Sequence, residues 1–456
     1  MEVSFSPGSV LQAQLASACA LFQKLATDKP PLLDFLQYDD QPSCLPPRAF
    51  LEAFIDTYFT ELSSLLPIYD RQSVQTAMRT QYEILDVPDP AWIVSLNSIL
   101  LQTLEGKSTA AKKTGMIPLE AGLITHLLQN IRRCFNNLQR LLEPRMANVQ
   151  ALLNLALVAL RYFHFTLFET VFTQACELAK SMGLHRSMGK PCAEGRNLFC
   201  SGILLSDQSD ARISLARIHE RISRSLYAGI PCVSRKCLRR RAYKLVRRLN
   251  DWTTQHSHIL YPPASTTTTA QQAIELRYAL CICHVLVQRC IPASESRQIR
   301  LEHARTGLQL LQELCEGYHP GDSISGFAIF ESILLRYPIV PFLEVYIHLL
   351  NPEDNDSPAV VTSDVNALVF FATRAECLAT NACEGSLADT VRSISRLCSQ
   401  IATSILQQNR RLQAQTTTPN NYCIDDGGIS VWDYDIGMMM DGHDNPTTLS
   451  AFLYTV

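Results

Sequence analysis

The segment Arg235-Lys-Cys-Leu-Arg-Arg-Arg-Ala-Tyr-Lys-Leu-Val-Arg-Arg248 carries eight cationic residues and no acid. Clustered guanidinium and ammonium groups contact phosphates, or are read as a nuclear signal by an importin groove. The candidates for either role are Arg235, Lys236, Arg239, Arg240, Arg241, Lys244, Arg247 and Arg248. A solvated helix face without a further role is the competing reading. Through the same segment Leu238, Ala242, Leu245, Leu249 and Trp252 step by four, three, four and three. That spacing predicts an amphipathic helix with one buried stripe and a basic solvent face. A helix with half its surface in a core is poorly placed to read bases in a DNA groove.

Catalytic and metal constellations fail on spacing. Gly183-Leu-His-Arg-Ser-Met-Gly189-Lys190-Pro191 comes near a phosphate-binding loop, but five residues separate the glycines and Pro follows the Lys. The loop needs four, then Ser or Thr, after a strand. Gly321-Asp-Ser-Ile-Ser lacks the second Gly of a nucleophile elbow, and His219-Glu220 has no second His four residues on. Asp39-Asp40 is followed by Gln-Pro-Ser-Cys, without the further carboxylates that Mg²⁺ bridging needs. The 16 cysteines include no CxxC, the closest pairs being Cys281/Cys283, Cys232/Cys237 and Cys377/Cys383. A zinc knuckle needs two such pairs, so most of the cysteines read as buried free thiols. No catalytic residue, metal or cofactor is nominated.

These side chains need a scaffold, and helical spacing runs through the chain. Phe50, Phe54, Tyr58, Leu62 and Leu65 step by three and four after Pro46-Pro47, and Pro67 is the expected stop. Leu167, Val171, Ala175, Leu178 and Met182 form a second stripe. Gly183 stands where a left-handed residue ends a helix, with Leu184 able to fold back on the last turn. Val391, Ile394, Cys398, Ile401 and Ile405 form a third. Breaks are expected at Asp86 to Pro90, at the Pro/Thr linker Tyr261 to Thr269, and at Asn351 to Pro358. With 47% apolar residues among 456, a sizeable core can be buried, and the expected fold class is all-α. The helical part is expected over 46–412, after an N-terminal segment 1–45 and before an acidic-hydrophobic tail 413–456.

Lys and Arg number 40 against 43 Asp and Glu, which disfavours a globally basic nucleic-acid binder but not a local basic patch. The residues before Lys24 include Glu2 and no cation, the wrong start for a secretory signal. The apolar stretch 326–350 is interrupted by Glu331, Arg336, Glu344 and two prolines, so no membrane span is expected. A soluble intracellular chain is the expectation. After Arg411 no Lys or Arg occurs, and Asp425, Asp426, Asp433, Asp435, Asp441 and Asp444 interleave with bulky side chains. Trp432, Asp433, Tyr434, Asp435, Ile436 and Met438 are candidates for an activation segment, whose charges keep apolar anchors solvated until a coactivator groove takes them. A C-terminal arm docking on its own domain is the alternative.

Two stretches carry a family resemblance. Phe54-Ile-Asp-Thr-Tyr-Phe-Thr-Glu-Leu-Ser-Ser-Leu-Leu-Pro-Ile-Tyr-Asp-Arg71 resembles the opening helix and P-[IL]-x-[DH]-R turn of the fungal-specific transcription factor domain. That domain is the middle homology region of fungal binuclear zinc-cluster regulators. Val149-Gln-Ala-Leu-Leu-Asn-Leu-Ala-Leu-Val158, then Gln174-Ala-Cys-Glu-Leu-Ala-Lys-Ser-Met-Gly-Leu-His-Arg186, is similar to its VQALLLLA helix and its A-x-x-L-A-x-x-[LM]-G-L-H-R ending. Gly183, Leu184, His185 and Arg186 are the structural residues of that ending. Leu215 to Tyr227 and Leu245 to Trp252 resemble two further helices, L-A-x-I-x-x-x-I-x-x-x-L-Y and L-x-x-L-x-x-W. Arg196 to Asp207 is similar to the family's R-R-x-F-W-x-x-Y-x-x-D, and three features depart from the pattern: Cys200 replaces its Trp, no G-R-P loop follows Asp207, and no six-cysteine zinc cluster precedes residue 45.

The resemblance implies a non-enzymatic regulator of transcription that acts in the nucleus, on a secondary-metabolite or catabolic gene set. It implies the transcription machinery or a DNA-binding regulator as partner, with weak or indirect DNA contact. A homodimer and a heterodimer are both open. A helical interaction scaffold outside transcription, or an all-α enzyme, are the alternatives.

Overall fold

Prolines, polar caps and one left-handed glycine set helix boundaries in the computed structural model. It describes residues 42–62, 68–83, 88–111, 119–163, 165–184, 207–227, 234–262, 267–316, 339–350, 357–379 and 386–416, with a few single positions besides. Among these residues there are fourteen α-helices and no strand, so the chain is all-α.

The first helix, α1 (Arg48–Thr57), starts behind extended Pro47, whose carbonyl accepts from the Phe50 and Leu51 amides at 3.1 and 3.2 Å. It runs on as a π-helical turn, Tyr58–Leu62. Its buried row is Leu51, Ile55 and Tyr58, whereas Phe50, Phe54 and Leu62 of the expected stripe are half-buried beside it. The apolar arc is wider than one stripe, and packing chose the neighbouring row. Asp70 caps α2 (Arg71–Glu83) by accepting from the Ser73 amide at 2.8 Å. Asp89 caps α3 (Pro90–Ala111) through the Ala91 amide and is itself gripped by Arg145 at 2.8 Å. Then come α4 (Leu119–Phe135), α5 (Met146–Tyr162) and α6 (Phe165–Ser181). As the spacing predicts, Leu167, Val171, Ala175 and Leu178 are buried on α6. Gly183 follows with φ 72°, its amide donating to the Lys180 carbonyl, and Leu184 packs on the core. Only glycine takes that φ without a Cβ penalty. His185 and Arg186 lie outside the described residues.

The second half comprises α7 (Asp207–Ile222, extended by a π-helical turn Ser223–Tyr227), α8 (Arg235–Gln255), α9 (Ser257–Leu260), α10 (Thr267–Gln288), α11 (Ala293–Glu316), α12 (Val340–Leu350), α13 (Pro358–Leu378) and α14 (Leu387–Thr416). Two boundaries differ from expectation. Thr267 to Thr269 belong to α10, because once apolar residues downstream anchor a helix, its first turn tolerates threonine. The last helix runs to Thr416, beyond residue 412. On α14, Val391, Ile394, Cys398 and Ile401 are buried as expected. No helix among the described residues is long and apolar enough to cross a membrane.

The core is continuous. In the first half α3 packs on α1, α4 and α5, and α5 on α6; in the second, α10 packs on α7, α8, α11 and α12. Helix α14 joins them, packing on α13 and α12 and reaching back to α5. Polar ties run through this core. The Gln150 amide donates to the Ile68 carbonyl at 2.8 Å, and Asn154 donates to the Tyr69 hydroxyl at 2.9 Å, which donates to Ser95 at 2.7 Å. The two stretches that carry the family resemblance therefore pack on each other, and Asn154, at a Leu position of the family pattern, forms one of the ties.

One buried pair gives the fold a pH dependence. The His284 and His303 rings stack at 4.2 Å between α10 and α11. Burial, with the neighbouring imidazole, pushes His284 from 6.5 down to about 3, and burial lowers His303 and His219 as well. Between about 3 and 6.5 the unfolded chain binds more protons than the folded one. Stability is therefore expected to fall on acidification below 6.5, by up to about 1.4 kcal/mol per pH unit for each proton. Urea midpoints at neutral and mildly acid pH measure the fall, and His284→Leu should make it shallower.

Candidate functional site

Helix α8 presents the basic run as its outer face. The Ser234 hydroxyl caps it, accepting from the Cys237 amide at 3.3 Å. Ala242, Leu245, Leu249 and Trp252 are buried, and Leu238 is half-buried, so the stripe lies where the spacing puts it. Trp252 locks the helix in place: its indole donates to Ser214 on α7 at 2.7 Å and its ring stacks on His256 at 4.7 Å. Tyr227, at the end of α7, donates to the Leu286 carbonyl at 2.6 Å, tying α7 to α10.

The three consecutive arginines are not equivalent. Arg239 pairs with Glu295 at 2.6 Å, and the same carboxylate takes the Tyr243 hydroxyl. Arg241 is half-buried and donates to the Ser225 carbonyl at 3.1 Å. Both therefore fasten α8 to neighbouring elements. Arg240, between them, points to water. Arg235, Lys236, Arg240, Lys244, Arg247 and Arg248 are exposed and make no hydrogen bond or ion pair among the described residues. At 100° per residue, Lys236, Arg240, Lys244 and Arg247 form one row opposite the buried stripe.

The tertiary structure adds cations that inspection of the run alone misses. Helix α7 lies against α8, and its exposed residues include Arg217 and Arg221. Their four-residue spacing, just outside the buried Ala211, Leu215, Ile218 row, is the signal that would find them.

Among the described residues, no group of three or more His, Cys, Asp or Glu side chains could hold a metal ion. All ten described cysteines are free, five of them buried. Burial pushes the thiols of Cys281, Cys283 and Cys398 up to about 12, far from the thiolate chemistry needs. The candidate activation residues Trp432, Asp433, Tyr434, Asp435, Ile436 and Met438 lie outside the described residues.

Fold and surface together describe an all-helical scaffold with a cationic outer face. Comparison with known proteins then gives named relatives. The chain is 25% identical over 379 residues, 70% of its length and 46% of the relative's, to "Transcription factor oryO" of Aspergillus oryzae (strain ATCC 42149 / RIB 40). It is 33% identical over 159 residues, 32% of its length and 21% of the relative's, to "Transcription factor sphG" of Aspergillus fumigatus (strain CBS 144.89 / FGSC A1163 / CEA10). The chain thus spans less than half the length of these curated relatives. No protein-family model and no solved structure matches it.

Proposed function

We propose that the chain is a transcription regulator of a fungal biosynthetic or catabolic gene set, acting in the nucleus and not as an enzyme. The observation that carries this reading is the similarity, over 70% of the chain, to a protein named a transcription factor. Placement of the motif residues supports it: Gly183, Tyr227 and Trp252 all serve as structural ties or caps. Residues 46–412 would form a fungal-specific transcription factor domain, and the basic helix would serve nuclear entry or phosphate contact. The transcription machinery or a DNA-binding regulator is the partner.

Chromatin immunoprecipitation of the tagged, full-length protein tests the reading. Enrichment at promoters of one gene cluster is the expected result. A protein that stays outside the nucleus and enriches no promoter would sink it.

The tail 413–456 adds a second, separable expectation. Fused to a heterologous DNA-binding domain, residues 424–444 should drive a reporter. Trp432→Ala should cost more activity than Asp433→Asn, because a large aromatic supplies most of the contact area in a coactivator groove. A silent fusion, together with a lower melting temperature after deletion of 424–456, would make the tail a structural arm.

A further inference from the structure

Helices α13 and α14 run antiparallel, side by side. Arg396 of α14 stands 4.0 Å from Glu376 near one end of α13, and Arg410 reaches Thr362 near the other at 3.4 Å. The inner side of this pair is core: α13 packs on α11 and α12, and α14 on α12 and α5. The outer side is open. At 100° per residue, Asn366, Val369 and Thr373 fall on the shoulder of α13 that borders α14, the side marked by Thr362 and Glu376. Gln400, Thr403 and Gln407 fall on the matching row of α14, between Arg396 and Arg410. Thr403 is half-buried and the other five are exposed.

Charge is missing from the middle of this face. Residues 397–409 of α14 include no Asp, Glu, Lys, Arg or His. Over 358–373 of α13 the one charged residue is Asp364, which is buried and paired with Arg305 at 2.7 Å. Other long helices differ: α8 shows its cations, and α11 exposes Glu295, Glu302 and Glu313. Arg374 stands on the far shoulder of α13, over the Phe370 ring at 5.2 Å. Val369, in the middle of the face, is 42% exposed. The hydroxyls beside it are already used. Thr373 donates to the Val369 carbonyl and Thr403 to the Ser399 carbonyl, both at 2.8 Å. Covering these two side chains therefore strands no donor.

Interface cores are depleted of charge, because taking an ion out of water is costly. A two-fold axis sets a patch against its own image, so a patch with net charge repels itself. A neutral face carries no such repulsion. Duplex DNA would need cations here. The tail 417–456, with aspartates and no Lys or Arg, finds no cation in the middle of the face.

We propose that the outer face of α13 and α14 binds a second copy of this chain, forming a reversible two-fold dimer. From Arg396 to Arg410 the face is about 21 Å long at 1.5 Å per residue. With packed helix axes ~10 Å apart it is about 20 Å wide. That is roughly 400 Å² a copy, half of the ~800 Å² that each partner buries in a standard interface. The dimer belongs to the weak class, with a dissociation constant on the order of tens of micromolar.

Sedimentation velocity of the full chain, from about 1 to 200 µM, tests this. The weight-average sedimentation coefficient should rise with concentration. Val369→Glu puts a like charge on both copies and should weaken association by on the order of tenfold or more. Ile299→Glu, at an exposed site on α11, should leave it unchanged. Thermal unfolding establishes that each variant folds. Should Val369→Glu fail, Thr373→Lys, also exposed, should weaken association in the same way. A chain that stays monomeric across the range overturns the proposal, as does a dimer that the folded face variants leave intact. A monomer whose Val369→Glu variant melts well below the wild type also overturns it, assigning the face to residues 1–41 or 417–456 of the same chain.

Discussion

Glu344→Ala should destabilise the protein by about 3–5 kcal/mol, the cost of breaking a buried ion pair. The Glu344 carboxylate sits on α12, 7% exposed, where the ends of α10 and α11 meet it. Arg289 donates to one oxygen at 3.0 Å and Arg300 donates to the other. Both arginines are about one-fifth exposed or less, at 20% and 17%. Removing the carboxylate leaves two guanidinium groups close together with little water to screen them. Removing Arg300 alone should cost less, because Glu344 keeps Arg289. Replacing all three with apolar residues of similar volume should recover most of the loss, since the desolvation of every ion then disappears. Urea unfolding ranks the variants. A loss below about 1 kcal/mol for Glu344→Ala would mean that water reaches the arginines more freely than their burial implies.

Trp252→Ala should cost about 3–5 kcal/mol, the range for emptying a large aromatic site in a core. The side chain is buried on α8, stacks on His256, and holds Ser214 of α7 through its indole N–H. Trp252→Phe keeps a six-membered ring and should lose the hydrogen bond and part of the buried area, about 1–2 kcal/mol. Ser214 tolerates that loss because its hydroxyl also donates to the Ala211 carbonyl at 2.9 Å. The alanine variant should also loosen the packing of α7 on α8, and its urea midpoint should fall. Equal stability for the alanine and phenylalanine variants would assign the tie to the hydrogen bond and not to the buried ring.

The all-helical class and most of the buried rows follow from local periodicity. Apolar residues at 167–182, 238–252 and 391–405 repeat at the helical period, and that period is a local property of the chain. Gly183 was legible for the same reason, since a left-handed C-terminal residue depends only on the turn before it. The basic face of α8 followed from its stripe. Local information stopped where neighbours matter. On α1 two adjacent apolar rows competed, and contact with α3 selected Leu51, Ile55 and Tyr58. Of the arginines in the run, Arg239 was taken by Glu295, 56 residues along the chain, and Arg241 by a backbone carbonyl on α7's extension. Arg217 and Arg221 joined the basic surface only because α7 folds against α8. Glu344 reads in the sequence as an interruption of an apolar stretch, and it became the shared partner of two arginines brought from distant helices. Periodicity is set within a few turns of one helix. Ion pairing and the composition of a surface depend on which helices become neighbours, and that is decided by packing the whole core at once.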